Sequence, residues 1–149
     1  MLQKLVLLNY RKIDNDAFSH LIQLQELWLS ESFIKFIDKT LFSNLINLKK
    51  LSFYNNRIES IEENCFSNLH NLEYLDLRYN HLRSLSAKSF VGLDNLKELN
   101  LSHNKLVNFD LDIFDNIGKF VEINLYGNPI MNKDEILNLS LQSKIKVYF

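Results

Sequence analysis

One period governs this chain. Leucine or an equivalent residue opens a new copy at Leu24, Leu48, Leu72, Leu96 and Phe120, each 24 residues after the last. Phenylalanines keep the same step at Phe18, Phe42, Phe66, Phe90 and Phe114. Three places after each stands Leu21, Leu45, Leu69, Leu93 or Ile117. Self-similarity at a fixed period of this length means a stack of like units, each resting on its neighbours.

The unit is clearest between Leu72 and Asn95. Leu75-Asp76-Leu77 alternates apolar with polar, which puts Leu75 and Leu77 on one face of a short strand. One such strand cannot bury that face alone, so copies stack into a parallel sheet with strands about 4.8 Å apart. Asn80 then turns the chain. Its amide can satisfy backbone groups at the corner, and Asn56, Asn80, Asn104 and Asn128 are spaced to form a ladder. Leu82, Leu85, Phe90 and Leu93 fill the interior from the far side, with Phe90 one rung of an aromatic spine.

These residues follow the pattern LxxLxLxxNxLxxLxxxxFxxLxx, and the chain resembles the leucine-rich repeat family over essentially its whole length. The resemblance implies an α/β solenoid: an arc with a parallel β-sheet on its concave face and loops or short helical turns on its convex face. The copies span 2–23, 24–47, 48–71, 72–95, 96–119 and 120–131, followed by a C-terminal cap at 132–149, all in one domain. The first copy is two residues short and has Tyr10 where asparagine belongs. Its open strand edge suggests an upstream cap or further repeats, a self-capping first copy, or pairing with another chain. In the cap, Pro129 halts the pattern, a helix is expected near Asp134 to Leu139, and an extended piece over Ile145 to Phe149. The cysteines that usually staple such caps in extracellular family members are missing.

Charge and motifs narrow the function. Seventeen basic and 18 acidic residues leave a net charge of −1, which makes no case for nucleic acid or an anionic membrane. No apolar run approaches the ~20 residues of a membrane span. Cys65 sits in a column otherwise held by Ala17, Leu41, Ser89 and Ile113, which reads as a buried small hydrophobe, with a reactive thiol as the other reading. His20, His70, His81 and His103 fall on different parts of the unit, and Asp110, Asp112 and Asp115 lack the glycine and glutamate of a calcium loop. No nucleophile elbow or phosphate loop occurs. Neither an enzyme nor a metal or cofactor protein is expected.

The informative surface is the concave one. One outward column runs Lys4, Glu26, Lys50, Tyr74, Glu98, Glu122, and the next Val6, Trp28, Ser52, Asp76, Asn100, Asn124. A third runs Leu8, Ser30, Tyr54, Arg78, Ser102, Tyr126, flanked by Asn9, Glu31, Asn55, Tyr79 and His103. Lys4, Glu26 and Lys50 alternate in sign as neighbouring strands prefer. Trp28, Tyr54, Tyr74, Asp76, Arg78, Tyr79 and His103 form the candidate partner-binding set, since tryptophan, tyrosine and arginine anchor protein interfaces. The same aromatics also suit strand packing. Phe33 and Phe36 either extend this patch or cover the loop beneath them. Sequons at Asn100 and Asn138 are candidate glycosylation sites, the first expected on the concave face.

The expected function is recognition of a protein ligand by the concave face. The resemblance implies an extracellular receptor, adhesion or innate-immunity protein. The alternatives are a cytoplasmic scaffold or regulatory subunit, or a self-assembling module forming homo- or hetero-oligomers through the open edge.

Overall fold

A computed structural model describes residues 2–14 and 16–149. Seven three-residue strands make one parallel sheet: β1 (Lys4–Val6), β2 (Glu26–Trp28), β4 (Lys50–Ser52), β6 (Tyr74–Asp76), β7 (Glu98–Asn100), β8 (Glu122–Asn124) and β9 (Lys146–Tyr148), in that spatial order. The register follows the sequence period, with Lys50 beside Tyr74 and Tyr74 beside Glu98. Two short strands, β3 (Phe36–Ile37) and β5 (Ser60–Ile61), pair in parallel as a second sheet. Turns and two 3₁₀ helices, Ala87–Phe90 and Leu111–Asp115, make up most of the remaining arc. The fold is the leucine-rich repeat solenoid that the period implies.

The five inner strands of the large sheet bury their central residue, while Leu5 in β1 and Val147 in β9 are partly buried. Leu27, Leu51, Leu75, Leu99 and Ile123 are fully covered, flanked by polar or aromatic neighbours facing the concave side. Phe42, Phe66 and Phe90 are likewise buried, with ring centroids 5.9 and 6.4 Å apart along the spine. The spine changes at the fifth copy. Phe114 is only partly buried, Ile113 beside it fills the core, and the ring of Phe109 meets Phe114 edge-on. Ile113 is buried as its column mates Leu41, Cys65 and Ser89 are, and Phe109 is buried as well.

The asparagine ladder is present. Asn80 Oδ1 accepts from the Ile58 amide at 2.9 Å, while its Nδ2 donates to the carbonyls of Phe53 and Leu77. Asn56, Asn104 and Asn128 repeat this arrangement one copy before or after. A second ladder, unanticipated, ties the convex turns. Asn47, Asn71 and Asn95 donate to the carbonyls of Ile22, Ile46 and His70, each in the preceding copy.

The cap does more than end the stack. Helix α1 (Lys133–Gln142) buries Ile136, and β9 then adds to the sheet in the 24-residue register, Lys146 beside Glu122. Cys65 is buried, and burial pushes its thiol pKa up, so it packs as a small hydrophobe.

Candidate functional site: an aromatic row on the concave face

The column flanking the strands has an unusual backbone. Asn9, Glu31, Asn55, Tyr79 and His103 all adopt positive φ, between 50° and 62°, and Gly127 continues the column at 73°. Left-handed backbone is costly for residues other than glycine and asparagine. The sheet holds it in place: Tyr79 N–H donates to Ser102 O at 3.0 Å, and His103 N–H to Tyr126 O at 2.8 Å. The chain thus turns sharply out of each strand, carrying the following side chain to the rim of the concave face.

On that rim the rings form one continuous row. Tyr54 meets Tyr79 edge-on at 5.7 Å. Tyr79 stacks on the His103 imidazole at 4.3 Å with only 10° between planes, and His103 meets Tyr126 edge-on at 5.4 Å. Gly127 makes room for the row, since a Cβ there would come within 2.8 Å of His103 Nδ1. The Arg78 guanidinium lies 5.0 Å from the Tyr54 ring centroid, a cation–π contact. Tyr79 keeps 46% of its surface exposed and Tyr126 is more exposed still.

Trp28 and Tyr74 form a separate pair nearer the amino ends of the strands, their rings 6.3 Å apart. Trp28 Nε1 donates to Glu26, whose carboxylate also bridges Lys4 at 3.1 Å and Lys50 at 3.4 Å. The hydrogen bond from Lys4 holds the Glu26 carboxyl below its usual pKa. Burial, followed by the charge of Asp76, pushes the Tyr74 phenol up to about 12.

Two residues expected on the exposed face are not exposed. Asp76 is fully buried, with Oδ1 accepting from the Arg78 backbone N–H and Oδ2 from Arg78 Nε, both at 3.0 Å. Its carboxylate positions Arg78 and is covered by it. Asn100 lies in the same row and is buried too, its Oδ1 accepting from Ser102 N and Oγ. Ser52 and Asn124 make the matching bond to the backbone N–H two residues on. This strand-ending turn explains the row: a short acceptor must fold back onto its own backbone there. Asn100 therefore does not offer the open concave position expected for a glycan. Asn138 is exposed on α1.

Tyr79 is thus exposed and Trp28, Tyr54, Tyr74, Arg78 and His103 are partly so, and the structure adds the exposed Tyr126. Tyr126 stands in the third concave column of the sequence but outside the candidate set, because the row is built by ring contacts across copies rather than by residue type at one position. Phe33, on the turn before β3, and Phe36, the first residue of β3, both stay exposed, with Arg57 lying 4.7 Å from the Phe33 ring centroid. Among the described residues no group of His, Cys, Asp and Glu side chains converges as a metal site. None of the described helices is long and apolar enough to cross a membrane.

Comparison with known proteins gives a consistent picture. A leucine rich repeat family model matches residues 22–82 and 71–130. No curated protein matches the chain. Among solved structures, a TLR13–ssRNA13 complex superposes with a TM-score of 0.77 at 34% identity, covering 83% of this chain. The leucine-rich repeat domain of APL1B superposes at 0.73 with 25% identity, and that of APL1 at 0.72 with 26% identity, each over 80% of this chain. The chain spans 17%, 36% and 31% of those three structures, respectively.

Proposed function

This chain belongs to the leucine-rich repeat family, and we propose that it recognises a protein partner through the rim of its concave face, anchored on Tyr54, Arg78, Tyr79, His103 and Tyr126. The observation that carries this reading is the row itself: four partly exposed rings, each touching the next, of which Tyr79 and His103 are fixed by backbone that the sheet holds in a costly conformation. Rings already ordered in the free protein lose little conformational freedom on binding, which is how aromatic anchors gain affinity. Trp28 and Tyr74 extend the surface toward the other end of the strands.

A protein partner fits better than a nucleic acid. TLR13 was crystallised with an RNA, but here Glu26, Glu98 and Glu122 line the first concave column and the net charge is −1. A polyanion gains its affinity from released counterions at basic surfaces, and this face offers few. An extracellular setting is part of the proposal, supported by the resemblance and by the exposed Asn138 sequon.

The test is a binding screen of the purified chain against a panel of purified extracellular proteins, run beside an Arg78→Ala/Tyr79→Ala variant. Partners that bind the parent chain and are lost with the variant support the concave rim. Partners retained by the variant but lost on substitution of Val6, at the β1 edge, would contradict it and favour edge association.

A further inference from the structure

On the turns between the first and second copies lies a cavity of about 620 Å³, outside the concave face. Its size falls in the range of small-ligand pockets. Four basic side chains line it, Arg11, Lys12, Lys35 and Arg57, against a single acid, Asp38. In a chain whose net charge is −1, this is a marked local excess of positive charge. Lys12 has a loose partner in Asp14 at 3.9 Å. Among the described residues no carboxylate lies within ion-pair distance of Arg11, Lys35 or Arg57. The Asp38 carboxylate is already engaged by the amide and hydroxyl of Thr40.

The walls are apolar and aromatic. Phe33 and Phe36 leave 40% and 48% of their surface exposed, and both line the cavity. Arg57 stacks over the Phe33 ring at 4.7 Å, which orders its guanidinium before any ligand arrives. The backbone beneath is fixed as well. Phe33 N–H donates to Tyr10 O at 2.7 Å, Ile34 N–H to the buried Asn56 Oδ1, and Arg57 N–H to Ile34 O. The site is therefore built into the solenoid, with cations at the rim and exposed rings beside them.

We propose that this cavity binds an aromatic ring carrying a phosphate or sulfate, as displayed by a modified tyrosine on a protein partner. Guanidinium groups grip such oxyanions through two parallel hydrogen bonds, and the ring would rest on Phe33 and Phe36. The ring-bearing anion follows from the cavity alone. Its source on a protein rests on the recognition function proposed above.

The experiment is calorimetric titration of the intact chain with a sulfotyrosine tripeptide, a phosphotyrosine tripeptide, the unmodified tyrosine tripeptide, inorganic phosphate and adenosine monophosphate. At least one modified tripeptide is expected to bind about tenfold or more tightly than the unmodified tripeptide and inorganic phosphate. Arg57→Ala and Lys35→Ala, both at exposed positions, are each expected to weaken it several-fold with unchanged melting temperature. Arg78→Ala/Tyr79→Ala is expected to leave it unchanged, so a failure here and a failure of the concave rim are read separately. Equal binding of modified and unmodified tripeptides would overturn the site. So would inorganic phosphate matching the tripeptides, or no effect of Arg57→Ala. Tighter binding of adenosine monophosphate would overturn the modified-tyrosine assignment, because its phosphate is borne on the sugar and not on the ring.

Discussion

The His103 imidazole lies flat on the Tyr79 ring, centroids 4.3 Å apart, and both residues sit in left-handed backbone. The two features belong together. The left-handed turn brings side chains of successive copies over one another at the strand spacing, and flat rings fill that spacing well. The strain held in the turn is offset by the sheet bonds on either side and by ring contact.

Glu31 isolates the strain from the rings. It has φ 50° in the same column, its side chain is exposed, and it stacks on nothing. Glu31→Gly is expected to stabilise the fold by about 0.5–1 kcal/mol, since glycine accepts this backbone freely. Tyr79→Gly relieves the same strain but loses two ring contacts, so its net effect on stability is expected to be smaller or opposite in sign. Chemical denaturation of the two variants beside the parent chain checks the difference.

The inner asparagine ladder predicts a large and local loss. Asn80→Ala removes the partner of the buried Ile58 amide and of two carbonyls at once. Unsatisfied buried groups cost about 1–3 kcal/mol each, so a loss of about 3 kcal/mol or more is expected. Asn95→Ala, in the exposed outer ladder, removes one bond to His70 and is expected to cost under about 1 kcal/mol. Equal losses would contradict the difference in burial between the two ladders.

Most of this architecture is legible in the letters, because the period forces register and burial together. Leu75 and Leu99 must share a face once they share a strand position, and the asparagines must align. The exposed site is less legible. Asp76 looks like a concave residue by alternation, yet the strand ends at once and its carboxylate folds back onto Arg78. Alternation fixes which side of the sheet a residue leaves, not whether its neighbours cover it. Likewise the positive φ at Tyr79 and His103 is invisible by residue type, since asparagine or glycine signals that turn and these two residues do not. Phe114 keeps the period in sequence but is only partly buried in space, whereas Phe90, also on a 3₁₀ helix, is fully buried.

The spine predicts the costliest single truncation. Phe66 is fully buried with its ring next to those of both Phe42 and Phe90. Phe66→Ala is expected to cost about 3–5 kcal/mol. Phe114→Ala, at a partly buried ring, is expected to cost clearly less. Thermal unfolding of both variants by circular dichroism gives the comparison.

Tyr74 predicts a late ionisation. Its phenol is pushed up to about 12 in the fold, against about 10 in an unfolded chain. The folded state therefore resists ionising it, and the stability this represents is present below pH ~10 and lost as pH rises toward ~12. An alkaline titration followed by tyrosinate absorbance should contain a late step near pH 12. Tyr74→Phe should remove that step. A parent chain without it would contradict the burial of Tyr74 against Asp76.

The affinity of one partner from the extracellular panel, measured for the parent chain and for Tyr79→Ala, bears most directly on the concave rim. With Tyr79 as a central anchor the loss should be at least about 2 kcal/mol, roughly thirtyfold in Kd, with the variant still folded at the temperature of the measurement. Equal affinity of the two proteins for every partner found would mean that the aromatic row only packs the sheet, and that recognition lies elsewhere on the arc.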